Sequence, residues 1–187
     1  MQDINKLKKI AELLIKEIGE NPKRTGLKDT PSRMAKMWLE VFKGYDIKQA
    51  PNVTVFPNND DGIVYDQMIT DQGTFYSFCE HHMALFHGEY YFGYIPDKYI
   101  IGLSKIARVI EYFSSRMQVQ ERLGNNVIDY LEKMLKPKGM ILILKAHHSC
   151  KEMRGIKKNG VMTTSVVRGV FMGDPSAKQE FLSLIKK

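Results

Sequence analysis

The spacing of apolar residues changes period repeatedly along this chain, and the order of those periods admits few architectures. Ile4, Leu7, Ile10, Leu14 and Ile18 recur at helical spacing, and Gly19 with Asn21-Pro22 ends the run. A second helix is expected from Thr30 as N-cap and Pro31 in the first turn, with Met34, Met37, Trp38, Val41 and Phe42 along one side up to Gly44. Between about Val53 and Ile101 the pattern shortens to the β-rich runs VTVF, GTFYSF and EYYFGYI, broken by turn formers, which read as antiparallel strands. Helical spacing returns with Ile106, Val109, Ile110 and Phe113, then with Leu123, Val127, Leu131 and Leu135, giving two consecutive core helices. MILILKAHHSC and VMTTSVVRGVFM read as two further strands, and Pro175 opens a terminal helix with Phe181, Leu182 and Ile185. No repeat or linker interrupts the order. The expectation is one α+β domain over residues 1–187: a helical region over 1–50, then an antiparallel sheet with two consecutive helices over 51–187.

Composition narrows the function classes. No stretch approaches the ~20 apolar residues of a membrane helix, and the start, MQDINKLKK, lacks the apolar region of a signal peptide, so a soluble cytoplasmic protein is expected. Two cysteines far apart in sequence suit reduced thiols, as metal ligands or inert core residues, better than a lone disulfide. The net charge of +7 favours an anionic partner, and nucleic acid, a phosphorylated metabolite and an anionic membrane all qualify by sign alone.

Both cysteines and four of the five histidines fall in two short segments. Cys79-Glu80-His81-His82 sets a thiol and an imidazole three residues apart, so one turn can offer both to a single ion. His148-Ser149-Cys150 follows at the expected end of a strand, where alternation puts His148 and Cys150 on the face of Leu142, Leu144 and Ala146. Cys79, His82 and Cys150 would give three N/S ligands and one open position for water, the arrangement of a catalytic zinc. His81 and His148 then stand where imidazoles could move protons, and the chemistry indicated is metal-assisted hydrolysis. His147, on the opposite face by alternation, and His87 are expected in structural roles.

A basic cluster lies elsewhere. Ser104, Lys105 and Arg108 sit near a helix start and can share a face, which suits either a phosphate site or a solvated basic turn. Arg154, four residues past Cys150, is a further guanidinium for the same anion or a surface arginine. Glu121, within QVQER between the two helices, could accept paired N–H donors from a guanine edge or serve the helix dipole.

CEHH, IGLSKIAR, QVQER, the HxCxxMRG pattern at His148 to Gly155 and the N-terminal NPKRTGLKDTPSRMAKMW together resemble the GTP cyclohydrolase I family, in the family's order from about Ile4 to Ile185. The resemblance implies the tunnelling fold, zinc on Cys79, His82 and Cys150, and His81 with His148 as the acid/base pair. It implies Gln120 and Glu121 on the guanine, Ser104 near the ribose, and Lys105, Arg108 and Arg154 on the triphosphate. The reaction implied is opening of the guanine imidazole ring of GTP, loss of formate and closure to 7,8-dihydroneopterin triphosphate, at the head of tetrahydrofolate and pterin synthesis. The assembly implied is a toroidal homodecamer of two stacked pentamers, with no nucleic-acid or membrane partner. His147 stands where the family commonly has threonine, and Ala84-Leu85 replaces its usual Leu/Val-Pro. Two rivals remain: another enzyme of the tunnelling fold, for which three histidines or a zinc-free nucleophilic cysteine would be expected, and a zinc-stabilised nucleic-acid-binding module, for which no finger or helix-turn-helix pattern is found.

Overall fold

A computed structural model describes residues 3–186; residues 1, 2 and 187, the ends of the expected domain, lie outside it. The side chain of Asp3 accepts from the backbone N–H groups of Asn5 and Lys6 and starts helix α1, Ile4–Glu17. Helix α2, Thr30–Val41, begins one residue earlier than expected, with Asp29 at the cap and Pro31 in the first turn. These two helices pack on each other and bury Ala11, Ile15 and Ala35. Much of the apolar stripe read from the sequence is not covered: Ile10, Leu14 and Ile18 are 55%, 46% and 68% exposed. Small alanines let the helices approach through the neighbouring face, which leaves the longer side chains uncovered by this chain.

Two 3₁₀ turns, Lys43–Tyr45 and Ile47–Gln49, lead to strand β1, Val55–Pro57. Then come β2 (Ile69–Cys79), β3 (Leu85–Ile95), β4 (Tyr99–Ile101), α3 (Leu103–Ser114), β5 (Met117–Gln118), α4 (Gln120–Leu135) and β6 (Gly139–His148). The chain ends in α5 (Ser149–Glu152), β7 (Val161–Gly169), α6 (Val170–Gly173) and α7 (Pro175–Leu184). The main sheet runs β5-β2-β3-β6-β7, while β1 and β4 form a separate pair. All neighbours are antiparallel except β5, which meets β2 in parallel over Phe78↔Met117 and Cys79↔Gln118. That two-residue strand was not legible, because a contact so short has no period.

Alternation gives the sheet two apolar faces. Phe75, Cys79, Phe86, Tyr90, Phe92, Tyr94, Met140, Leu142, Leu144 and Ala146 lie under the buried faces of α3 and α4, with Ile106, Val109, Ile110, Leu123, Val127, Leu131 and Leu135 opposite them. On the other face Tyr91, Ile141 and Ile143 meet Phe171 of α6 and Ala177 and Phe181 of α7. Gly93 makes that second contact possible, since a Cβ there would come 2.6 Å from the ring of Phe181. Both outer edges stay open among the described residues: β7 pairs only with β6, and β2 pairs on its far side only at Phe78 and Cys79.

Candidate active site

Cys79 ends β2, and the next residues reverse direction to enter β3. The backbone N–H of Cys79 donates to the carbonyl of Ala84 at 2.8 Å, and those of His82 and Met83 donate to the Cys79 carbonyl at 3.4 and 2.9 Å. Met83 takes a positive φ of 50° to close this turn. The effect is to fold His82 back on Cys79, with Nδ1 3.9 Å from Sγ. Cys150 reaches the same place from a different element than expected. The strand stops at His148, and Cys150 sits in the single-turn helix α5, because the chain leaves the sheet edge there. The ligand atoms of Cys79, His82 and Cys150 all lie within 4.8 Å of one another.

Those residues fit a zinc ion. Bonds of about 2.0 to 2.3 Å to S and N ligands in a tetrahedron require donors roughly 3.5 Å apart, and small side-chain adjustments reach that from the observed spacing. The donor chemistry agrees: two sulfurs and an imidazole are ligands that suit zinc, and burial and the adjacent Cys79 sulfur push the Cys150 thiol up in the absence of a cation. Arg154, from the segment after α5, brings a guanidinium nitrogen to 2.9 Å from His82 Nε2.

Two imidazoles flank this centre. His81 is exposed, with Nδ1 3.6 Å from Cys79 Sγ. Its neighbour Glu80 is gripped by Arg122 through two bonds of 2.6 and 2.9 Å, which holds that carboxyl below its usual range. His148 is half-buried, and its ring lies flat on Phe86 at 4.7 Å between centroids and 3° between planes. Its Nε2 is 2.9 Å from Gln120 Oε1. Burial holds His148 below the ordinary imidazole pKa, with the Glu121 and Glu152 carboxylates opposing that shift. Gln120 itself is 1% exposed. Glu121, beside it in the first turn of α4, is exposed.

The structure therefore gathers Cys79, His81, His82, Gln120, Glu121, His148, Cys150 and Arg154 at one end of the sheet. Ser104, Lys105 and Arg108 are not with them. They occupy the first turns of α3, which starts where Gly102 donates to Thr54 and Ile101 to the hydroxyl of Tyr94. Tyr94 pairs with Ile69, the far end of β2 from Cys79. Ten residues of helix, ~15 Å of rise, separate Ser104 from Ser114. Only there does the chain return to the metal end, where Ser77 donates to the Arg116 carbonyl.

Sequence reasoning missed Phe86, whose role as a platform for His148 depends on the cross-strand register Phe86↔His148. His147 faces the other side of the sheet, its ring 6.2 Å from His87 and its Nδ1 2.9 Å from Glu152 Oε1. A cleft of about 430 Å³ between α2, β2 and α3, lined by Glu40, Lys43, Phe75, Phe78 and Glu111 among others, contains none of the candidate residues.

The family model that matches this chain describes GTP cyclohydrolase I and covers residues 7–186. A protein named GTP cyclohydrolase 1 from Aquifex aeolicus is 42% identical over 98% of this chain and 97% of its own length. Another of that name from Streptococcus agalactiae is 44% identical over the whole of both chains. Among solved structures, the archaeosine synthase QueF-Like in the apo form overlaps 52% of this chain and 91% of its own, at 11% identity and a TM-score of 0.42, too loose a match to argue from.

Proposed function

The chain belongs to the GTP cyclohydrolase I family, and on that premise we propose that it hydrolyses the imidazole ring of the guanine of GTP, releases formate and forms 7,8-dihydroneopterin triphosphate. The observation that carries this reading is the convergence of Cys79, His82 and Cys150 within 4.8 Å, with His81 and His148 beside them. A zinc ion held by those three residues would supply a Lewis acid able to bring the pKa of water from 15.7 down to ~7. His148, kept neutral by burial, accepts a proton during attack on the ring, and exposed His81 exchanges protons with solvent. Glu121 takes the N–H donors of the guanine edge. The side chain of Gln120 is already occupied, which leaves only its main chain for the base.

The triphosphate needs Arg154 together with Ser104, Lys105 and Arg108, and those three lie at the wrong end of their own chain. A neighbouring copy supplies them in this reading. Two open strand edges and the exposed stripe Ile10, Leu14 and Ile18 support a homo-oligomer, with β7 of one copy meeting β2 of the next in a closed ring. The toroidal homodecamer is the form proposed, in the cytoplasm, serving tetrahydrofolate or pterin synthesis. Among the described residues no helix is long and apolar enough to cross a membrane.

The test is incubation of zinc-loaded protein with GTP, following formate release and the fluorescence of the oxidised neopterin product. Cys150→Ser and a chelator should each abolish both signals. A folded, zinc-loaded oligomer that yields neither would sink the proposed reaction.

A further inference from the structure

Gln120 carries one of the most heavily bonded side chains at the site. Its amide Nε2 lies 3.0 Å from the carbonyl of Leu144 in β6, 3.1 Å from that of Met162 in β7 and 3.1 Å from the hydroxyl of Thr164. Two backbone carbonyls accept and never donate, so the atom facing them must be the –NH₂ group, and a flipped amide would set oxygen against oxygen. The amide orientation is therefore fixed by strands β6 and β7. Oε1 is left facing His148 Nε2 at 2.9 Å. An amide oxygen only accepts, so the proton of that bond belongs to the imidazole.

From this we infer that Gln120 is a positioning residue for His148, which locks the neutral imidazole in the form protonated at Nε2 and leaves Nδ1 as its proton-accepting nitrogen. The bracket acts in two directions. Phe86, stacked at 3° to the ring, sets its plane, and Gln120 sets its rotation within that plane. Both partners are buried, at 0% and 1% exposure, so neither drifts with solvent. The chain of contacts runs from the sheet backbone through one amide to one nitrogen, which makes the tautomer a property of the fold. The assignment deepens the proposed cyclohydrolase reaction and rests on it for the use made of His148, but the protonation state itself does not depend on the substrate.

Solid-state NMR of the zinc-loaded protein, with nitrogen-labelled histidine rings, reads the tautomer directly. His148→Asn identifies the resonance among the five histidines of the chain. The expected result is a proton on Nε2 in the unaltered protein and a spread over both nitrogens in Gln120→Met. With GTP, Gln120→Met should lower kcat by at least ~10-fold while leaving KM within about twofold. A proton on Nδ1 in the unaltered protein overturns the inference, whether or not any variant folds. So does a Gln120→Met protein whose KM rises with kcat intact, since that marks a contact to the base. Absence of formate from the unaltered protein would instead remove the proposed reaction, with the tautomer still decided by the spectra.

Discussion

Arg154 and His82 share a contact that a metal ion on His82 would have to reassign. A guanidinium has only N–H donors, so its 2.9 Å approach requires a lone pair on His82 Nε2. Nδ1 is the nitrogen turned toward Cys79, and a metal there leaves the ring proton on Nε2, where it meets the guanidinium donor to donor. Zinc loading is therefore expected to release Arg154 toward the triphosphate. Arg154→Ala should bind zinc at least as tightly in competition with a chromophoric chelator, while KM for GTP rises about 10-fold, the loss of roughly 1.4 kcal/mol. Loss of zinc from that variant would make Arg154 a support for the ligand instead. At this scale the approach of His82 to Cys79 was legible because three-residue spacing in a turn nearly dictates convergence. Cys150 joins that cluster from a different element than expected, since alternation cannot announce where a strand gives way to a single helical turn. A buried amide and a base-reading amide look alike in sequence, so the side-chain bonds of Gln120 emerged only from the packing of β6 and β7.

Among the elements, α3 and α4 follow their apolar periods closely, because each presses one face onto the sheet and leaves the other to water. Leu131, fully buried in α4 against that core, should cost about 3 kcal/mol of stability on replacement by alanine, measured by denaturant unfolding at a fixed protein concentration. A smaller loss, under about 1 kcal/mol, would mean that the α4 layer repacks. Helix α7 depends on its cap. The carboxylate of Asp174 accepts from the backbone N–H and hydroxyl of Ser176, and these bonds hold its pKa below the usual value. A carboxyl depressed on folding adds stability above its unfolded pKa and loses it as pH falls through the folded one. Hydrogen-exchange protection in α7, measured against the intrinsic exchange rate at each pH, should accordingly fall under acid, and much less in Asp174→Asn, because the asparagine oxygen accepts at any pH. Equal acid sensitivity in both would place the weak point elsewhere. Helix α1 was legible as a helix but not in its facing, since its period marks an apolar stripe without saying which chain will cover it.

For the whole molecule, a sheet with two open edges and a helix pair with an uncovered stripe would make stability a function of concentration once other copies cover them. If copies close the ring, dilution should lower the melting temperature of the metal-loaded protein by mass action; invariance over a 100-fold dilution would argue for a self-sufficient monomer. The α+β architecture was readable from the order of periods, whereas the distance between Ser104 and Cys79 was not, because sequence order says nothing of which end of a sheet a helix begins at. That distance carries a genetic consequence. If a neighbouring copy supplies Lys105, two inactive proteins, one damaged at Cys150 and one at Lys105, would be damaged at different halves of a shared centre. Unfolded together and refolded as hybrids, random mixing would restore an intact pair of halves in about a quarter of the centres. Two inactive alleles could then restore activity within one cell, which neither could do alone.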